Sequence, residues 1–468
     1  MTKKVYAPGL ILLLSAVCLT STASAQTSWW RTYGGAFEAG GYSVQQTSDG
    51  GYVVVGHTDP RGTGDYDMFL VKTDSAGDTL WTKAYRLSYY NEAHCIRQTV
   101  DGGYIITGYA GNGDTGDYDL YLIRTDAHGD TLWTRCYGGP NFDMGSCVRQ
   151  TTDSGYIVTG HTGSFGDGQD DVWLVRTDKN GDSLWTKTFG GGAGWTVYQL
   201  ADGGFIVAGS SGGIYLIRTT ANGDTQWTRK YAGTDFEVGT ELQLTADGGY
   251  IVTGYADSLD ARGTDVRLIK TDSQGDTLWT RTYGGTRDDR GNSVQQTSDG
   301  GYMIAGATFS FGAGFADVYV VKTNASGDTL WTRTFGGTSY DWGYAVQQTT
   351  DGGYIIAGMT KSYGAGAPDH YNVYLIKTDA NGNAIAEGPL AWHPTSPNRL
   401  AVRPNPFTSF ARVPGHEADV FALSDITGRH VAICKGGRIG AGLRPGVYFL
   451  SPASLKTGKA VTIIKAAY

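Results

Sequence analysis

The sequence predicts an all-β fold, a seven-bladed β-propeller of four-stranded antiparallel blades, and three observations carry that prediction. First, a tryptophan returns at a fixed interval: Trp29, Trp81, Trp133 and Trp185 stand 52 residues apart, the step to Trp227 shortens to 42, and Trp279 and Trp331 resume the 52. A period of this size means an array whose units bury their faces only against neighbours. Second, each interval holds four short segments that alternate apolar and polar residues or are rich in Val, Ile, Tyr and Trp, as in NSVQQTS, YMIAGAT, DVYVVKT and DTLWTRTF. Such segments read as strands. Third, the two ends of the array complement each other. The last copy loses its Trp strand after Lys377-Thr378-Asp379, and residues 27–35, TSWWRTYGG, form a Trp strand with no blade before it. An N-terminal strand that completes the last blade closes the ring and removes two open edges.

Within a copy, the first two strands are joined by Asp299-Gly300-Gly301 or its equivalent at Asp49, Asp101, Asp202, Asp247 and Asp351, with Asp153-Ser154-Gly155 as the variant. The Asp-Gly step is a hairpin signal because glycine tolerates the positive φ that such turns need. The last two strands meet at a tight turn such as Asp272-Ser273-Gln274-Gly275-Asp276. Chain direction puts both kinds of turn on one face. The longer, variable connections share the other face, and binding residues are usually carried on such loops. The fourth copy trims both of its loops there, which predicts a notch.

Charge and composition narrow the function classes. The chain has 468 residues, 71 of them Gly, yet its 30 Tyr and 12 Trp supply large apolar side chains for a core. A net charge of −8 with scattered Lys and Arg gives no basic footprint, so nucleic acid is not an expected partner. Residues 1–25 read as a secretory signal peptide: Lys3 and Lys4, the apolar run GLILLLSAVCL, then Ala23-Ser24-Ala25. The mature chain is then expected to have no transmembrane segment. Cys95 and Cys147 fall at one repeat position in neighbouring copies, and we expect them to be packed, unpaired thiols rather than a disulfide.

Several polar constellations compete for a role. Ten residues after the repeat Trp come Ala39, Asn91, Asp143, Glu237, Asp289 and Asp341 in six of the seven copies. A ring of carboxylates could hold a cation or act in pairs on a glycoside. A residue repeated in blade after blade with a glycine two places later more simply accepts backbone hydrogen bonds in a turn. The loop GNGDTGDYD, with Asp114, Asp117 and Asp119, is a candidate structural calcium site, although it lacks the twelve-residue EF-hand pattern. No other cofactor and no metal centre is expected, and no residue requires catalysis.

The least repetitive position lies seven residues before each hairpin Asp, and it reads Tyr42, His94, Ser146, Trp195, Thr240, Asn292 and Tyr344. Freed from the constraint of the repeat where blades converge, it is where a ligand would be read, with aromatic faces suited to sugar rings. Tyr42, His94, Trp195, Asn292 and Tyr344, with Tyr340, Trp342 and Tyr371 from the variable loops, are therefore the candidate ligand-binding residues.

The phrase GGxxxDxGxSVQQTxDGGYIxxG resembles that of a broad family of secreted bacterial propeller-repeat proteins, over residues 26–388. After the Pro-rich linker at 389–399, Pro404-Asn405-Pro406-Phe407, Asp425-Ile426-Thr427-Gly428-Arg429 and Pro445-Gly446-Val447-Tyr448 follow in order. This segment, 400–468, resembles the C-terminal Por-type sorting domain of the type IX secretion system, a small immunoglobulin-like β-sandwich. The resemblance implies a partner, the type IX secretion machinery, and export to the surface or surroundings of a Gram-negative bacterium. The expectation is thus a secreted or cell-surface propeller that binds a glycan or protein ligand through its variable loop face. Two alternatives stand beside it. One is a carbohydrate-active enzyme using two or three of Asp143, Asp235, Glu237, Asp288, Asp289 and Asp341; the other is a structural or adhesive surface protein.

Overall fold

The computed structural model describes residues 28–111, 117–167, 170–231, 237–257, 263–384 and four strands between 420 and 465. The expected signal peptide at 1–25, the expected linker at 389–399, Asp114 and Asp235 lie outside the described residues. The chain divides into two compact units, Met1–Leu390 and Ala391–Tyr468.

The first unit is a seven-bladed propeller of four-stranded antiparallel sheets. Blade 1 runs Ala39–Gln46, Tyr52–Thr58, Asp67–Thr73 and Thr79–Tyr85, from innermost to outermost strand. Blades 2 to 6 repeat the order from innermost strands Asn91–Gln98, Asp143–Gln150, Ala193–Gln199, Glu237–Leu244 and Asp289–Gln296. Blade 7 is composite. Its first three strands are Asp341–Gln348, Tyr354–Thr360 and Asn372–Thr378, and its fourth is Trp29–Tyr33, paired antiparallel with Trp29 opposite Lys377. The ring therefore closes as the two complementary chain ends predict.

The burial pattern explains the alternation seen in the sequence. The middle strands are covered on both faces, so Tyr52–Thr58 and Asp317–Thr323 are buried throughout. The outermost strands alternate, as in Thr329–Phe335. Their tryptophans bind blade to blade: Trp29 meets Tyr52 edge-on with ring centroids 5.8 Å apart, and Trp133 meets Tyr156 at 5.8 Å in the same way. Each indole also covers a turn glycine of the next blade. A Cβ on Gly129, whose φ is +77°, would stand 2.9 Å from the Trp81 ring, so that position needs glycine for its backbone and for its neighbour. Close to it, the Tyr85 hydroxyl donates to the Gly129 carbonyl at 2.7 Å.

Every blade also buries one cation. Lys72, Arg124, Arg176, Arg218, Lys270, Lys322 and Lys377 reach the hairpin acids Asp49, Asp101, Asp153, Asp202, Asp247, Asp299 and Asp351. A buried ammonium needs such a partner to be tolerated. The hairpin aspartate is thereby more than a turn former, since it also tethers the third strand.

In the second unit the described strands form one antiparallel sheet: Val420–Asp425 lies between His430–Lys435 and Gly446–Pro452, and the latter pairs with Val461–Lys465. The expected second sheet of a sandwich is not among the described residues. No helix among the described residues is long and apolar enough to cross a membrane.

Candidate functional site

The seven innermost strands enclose a central cavity of about 430 Å³. In every one of them the pairing with the second strand slips by one residue, between Gly41 and Ser43 in blade 1 and at the matching place in the other six. The skipped residues are Tyr42, His94, Ser146, Trp195, Thr240, Asn292 and Tyr344. A β-bulge re-aims a side chain and bends the strand, and here all seven bulged residues line the cavity. The non-repeating position found in the sequence is thus a ring of bulges. Because two consecutive residues of the strand now face inward, the next residue lines the wall as well: Ser43, Cys95, Cys147, Thr196, Glu241, Ser293 and Ala345.

Five of the eight candidate residues, Tyr42, His94, Trp195, Asn292 and Tyr344, therefore meet in one place. Tyr42 packs edge-on against Tyr344 with centroids 5.1 Å apart and lies 5.4 Å from His94. The Trp195 indole N–H donates to Ser210 Oγ at 2.9 Å, and Asn292 Nδ2 donates to the Gly343 carbonyl at 2.7 Å, which fixes both side chains. Burial raises the Tyr42 phenol well above its ordinary value, so it stays a neutral donor. Burial also acts to raise the Glu92 carboxyl, yet His94 at 3.4 Å and the Tyr90 hydroxyl at 3.0 Å hold it at about 2.

Tyr340, Trp342 and Tyr371 do not line the cavity. They are half-buried in a rim cluster beside it: Tyr340 stacks on Phe315 at 5.1 Å, Trp342 meets Phe309 at 5.7 Å, and Lys361 Nζ sits 4.6 Å over Tyr371. Loop side chains point where local packing sends them, and sequence position alone does not specify that.

Below the bulge ring the channel narrows into a second space of about 170 Å³ lined by Gln45, Arg97, Arg149, Tyr198, Glu241, Gln243, Gln295 and Gln347, among others. The glutamines there are structural. Gln45 Oε1 accepts from the Gln98 backbone N–H at 2.7 Å and Gln347 Oε1 from that of Gln46 at 2.6 Å, each tying one blade to the next. Arg97 and Arg149 replace glutamine in blades 2 and 3, and the Arg149 guanidinium lies 3.5 Å over the Tyr198 ring. Glu241 is pushed upward by burial, against the pull of Ser293, Arg97 and the Val294 N–H. Sequence reasoning missed this layer, although the break in the glutamine series was a usable signal.

The carboxylates weighed as a catalytic or cation-holding ring serve the loops instead. Asp143 accepts from Gly139 N–H at 2.8 Å and Ser164 Oγ at 2.6 Å; Asp289 accepts from Gly285 N–H and Ser310 Oγ, both at 2.7 Å; Asp341 accepts from Gly337 N–H at 2.9 Å and Ser362 Oγ at 2.6 Å. Glu237 pairs with Arg267, and Asp288 accepts from Thr264 N–H at 3.0 Å. None of these five lines the cavity. No group of three or more His, Cys, Asp or Glu fit to hold a metal exists among the described residues. In the calcium candidate, Asp119 Oδ2 accepts from the Cys136 thiol at 3.4 Å.

The bulge ring and its cavity define a propeller with an aromatic-walled central channel. No family model matches the chain. It is 29% identical over 143 residues to the regulatory protein FlaEY of Caulobacter vibrioides, a stretch that is 26% of this chain and 15% of that protein's length. Among solved structures, a protein of unknown function from Bacteroides caccae shares 16% identity with a TM-score of 0.37, covering 52% of this chain and 81% of its own. Sqt1 from Chaetomium thermophilum shares 11% with a TM-score of 0.44, covering 79% and 88%. BamB from Moraxella catarrhalis shares 11% with a TM-score of 0.38, covering 68% and 94%. The propeller assignment rests on the strand pairings of this chain itself, and no function is taken from these neighbours.

Proposed function

We propose that this chain is an exported binding module that takes a glycan segment into the mouth of its central channel. The observation that supports this is the convergence of seven bulged side chains, differing between most blades, on one cavity of about 430 Å³. That volume falls in the range of small-ligand sites, and tryptophan and tyrosine faces beside a few fixed polar groups suit a sugar ring. Trp195 supplies the stacking face, while Asn292, Thr240 and Ser146 supply hydrogen bonds. A glycan array probed with the full chain tests the reading. Trp195→Ala should weaken a bound glycan by about 1–3 kcal/mol, as anchoring aromatics do. Trp342→Ala, outside the cavity, should leave it unchanged.

A second reading, a protein ligand, is favoured by the aromatic rim, where Phe311 and Phe315 are 45% and 57% exposed. Under that reading the two tryptophan variants exchange effects. Export is proposed from the leader at 1–25 and the ordered motifs of 400–468. In a host with the type IX machinery, a chain ending near Leu390 should accumulate in the periplasm while the full chain reaches the outside. Equal appearance of both outside the cell would leave 400–468 without a role in sorting.

A further inference from the structure

We propose that Cys95 and Cys147 are a thiol–disulfide exchange pair on the cavity wall, in which Cys147 attacks a small disulfide and Cys95 resolves it, leaving a bridge between blades 2 and 3. The two sulfurs stand 3.9 Å apart on neighbouring innermost strands, both side chains are buried, and both line the cavity of about 430 Å³. A disulfide needs the sulfurs at about 2.05 Å, so roughly 2 Å of approach closes the bond. Both sulfurs belong to the cavity lining, so the proposed route for a reagent is through the channel.

The surroundings give the pair a direction. The Cys95 thiol stands within donor reach of the Val148 carbonyl at 3.7 Å and of the Cys147 sulfur at 3.9 Å, and Cys95 itself accepts from the Val148 backbone N–H at 3.4 Å. Cys147 also accepts from Thr196 Oγ1 at 3.7 Å and from the Val197 N–H. Arg97 and Arg149 stand two residues along the same strands and add positive charge to this wall. The hydrogen bond from Cys95, aided by both guanidinium groups, holds Cys147 below the usual thiol range, and the same bond pushes Cys95 above it. Cys147, with the Thr196 and Val197 donors and both guanidinium groups beside it, is the attacking sulfur in this proposal.

Other blades show that this position does not call for cysteine. Ser43 and Ser293 fill it in blades 1 and 6, where each hydroxyl accepts the N–H of the next blade, from Ile96 at 3.4 Å and Val346 at 3.0 Å. Serine therefore performs the architectural task. The placement of two thiols in adjacent blades is a departure from the repeat that packing leaves unexplained.

The exchange balances as follows. The Cys147 thiolate displaces one sulfur of the incoming disulfide, forming a mixed disulfide and releasing one thiol. Cys95 then gives up its proton, bonds to the Cys147 sulfur and releases the second thiol. Two protein thiols are oxidised and one small disulfide is reduced.

The test uses the folded full chain carrying Cys136→Ser, because Cys136 and Cys147 share a tryptic peptide, with glutathione disulfide as the probe. The expected product has lost two hydrogens, yields a linked peptide joining Cys95 to Cys147, and reverts with reductant. Cys95→Ser should instead retain one glutathionyl group on Cys147. Cys147→Ser should react on Cys95 at least roughly tenfold more slowly. Absence of the linked peptide in the folded protein, while the urea-unfolded chain reacts, would overturn the proposal. So would a bridge from either residue to Cys434, or faster reaction at Cys95 than at Cys147.

Discussion

Single side chains in this protein carry either the repeat or its exceptions, and the hairpin aspartates show the first kind. Burial works to raise Asp49, Asp247 and Asp299, but hydrogen bonds from the buried lysine, the neighbouring threonine and a glycine N–H bring each to about 2 against an ordinary 3.8. The folded value lies below the unfolded one. The stabilisation is therefore full above the unfolded value and is lost as pH falls through the folded value. Thermal melts should show stability dropping steeply between about pH 4 and pH 2, and Asp299→Asn should flatten part of that slope. An unchanged slope would remove the Lys322 tether from the account. The exceptions are harder to read from sequence. Tyr42 and its six equivalents stood out because they do not repeat, but Cys95, Arg97, Cys147, Arg149 and Glu241 did not register as cavity residues. Strict alternation sends only every second residue inward, and nothing in the text of one strand announces that a bulge sends in two neighbours.

At the scale of the element, the contact between each outer-strand indole and the next blade's turn explains why the tryptophan period and the glycine period run together. The legible part was the turn chemistry, since Asp-Gly implies a positive φ and Gly50 has φ +81°. The illegible part was which glycine also faces a ring. Gly50 has nothing within 4 Å of an added Cβ, whereas Gly129 has Trp81 at 2.9 Å and Lys83 at 3.0 Å. Both Gly50→Ala and Gly129→Ala should cost about 1–3 kcal/mol from the left-handed backbone alone. Gly129→Ala should cost distinctly more, and denaturant midpoints of the two variants measure the difference. Ser154, at φ +71°, tests the same strain in reverse. Ser154→Gly should stabilise by about 0.5–1 kcal/mol, because glycine adopts that conformation freely.

For the whole molecule, ring closure was legible because two defects in the repeat had complementary shapes, whereas the second unit, for which three short motifs led to the expectation of a sandwich, shows one four-stranded sheet among the described residues. Deleting residues 26–35 removes the strand that pairs with Asn372–Thr378 and the Trp29 contact with Tyr52. The melting temperature should fall markedly, and a truncated chain that melts like the intact one would refute closure.

Blade 7 also imposes an order in time. A chain made from its N-terminus presents the Trp29–Tyr33 strand first, yet the strand it pairs with, Asn372–Thr378, is the last of the propeller to be made. Until then, the ring has two raw edges and no closed channel. The closed ring, with its central channel, can therefore exist only once both ends of the array are present in one chain.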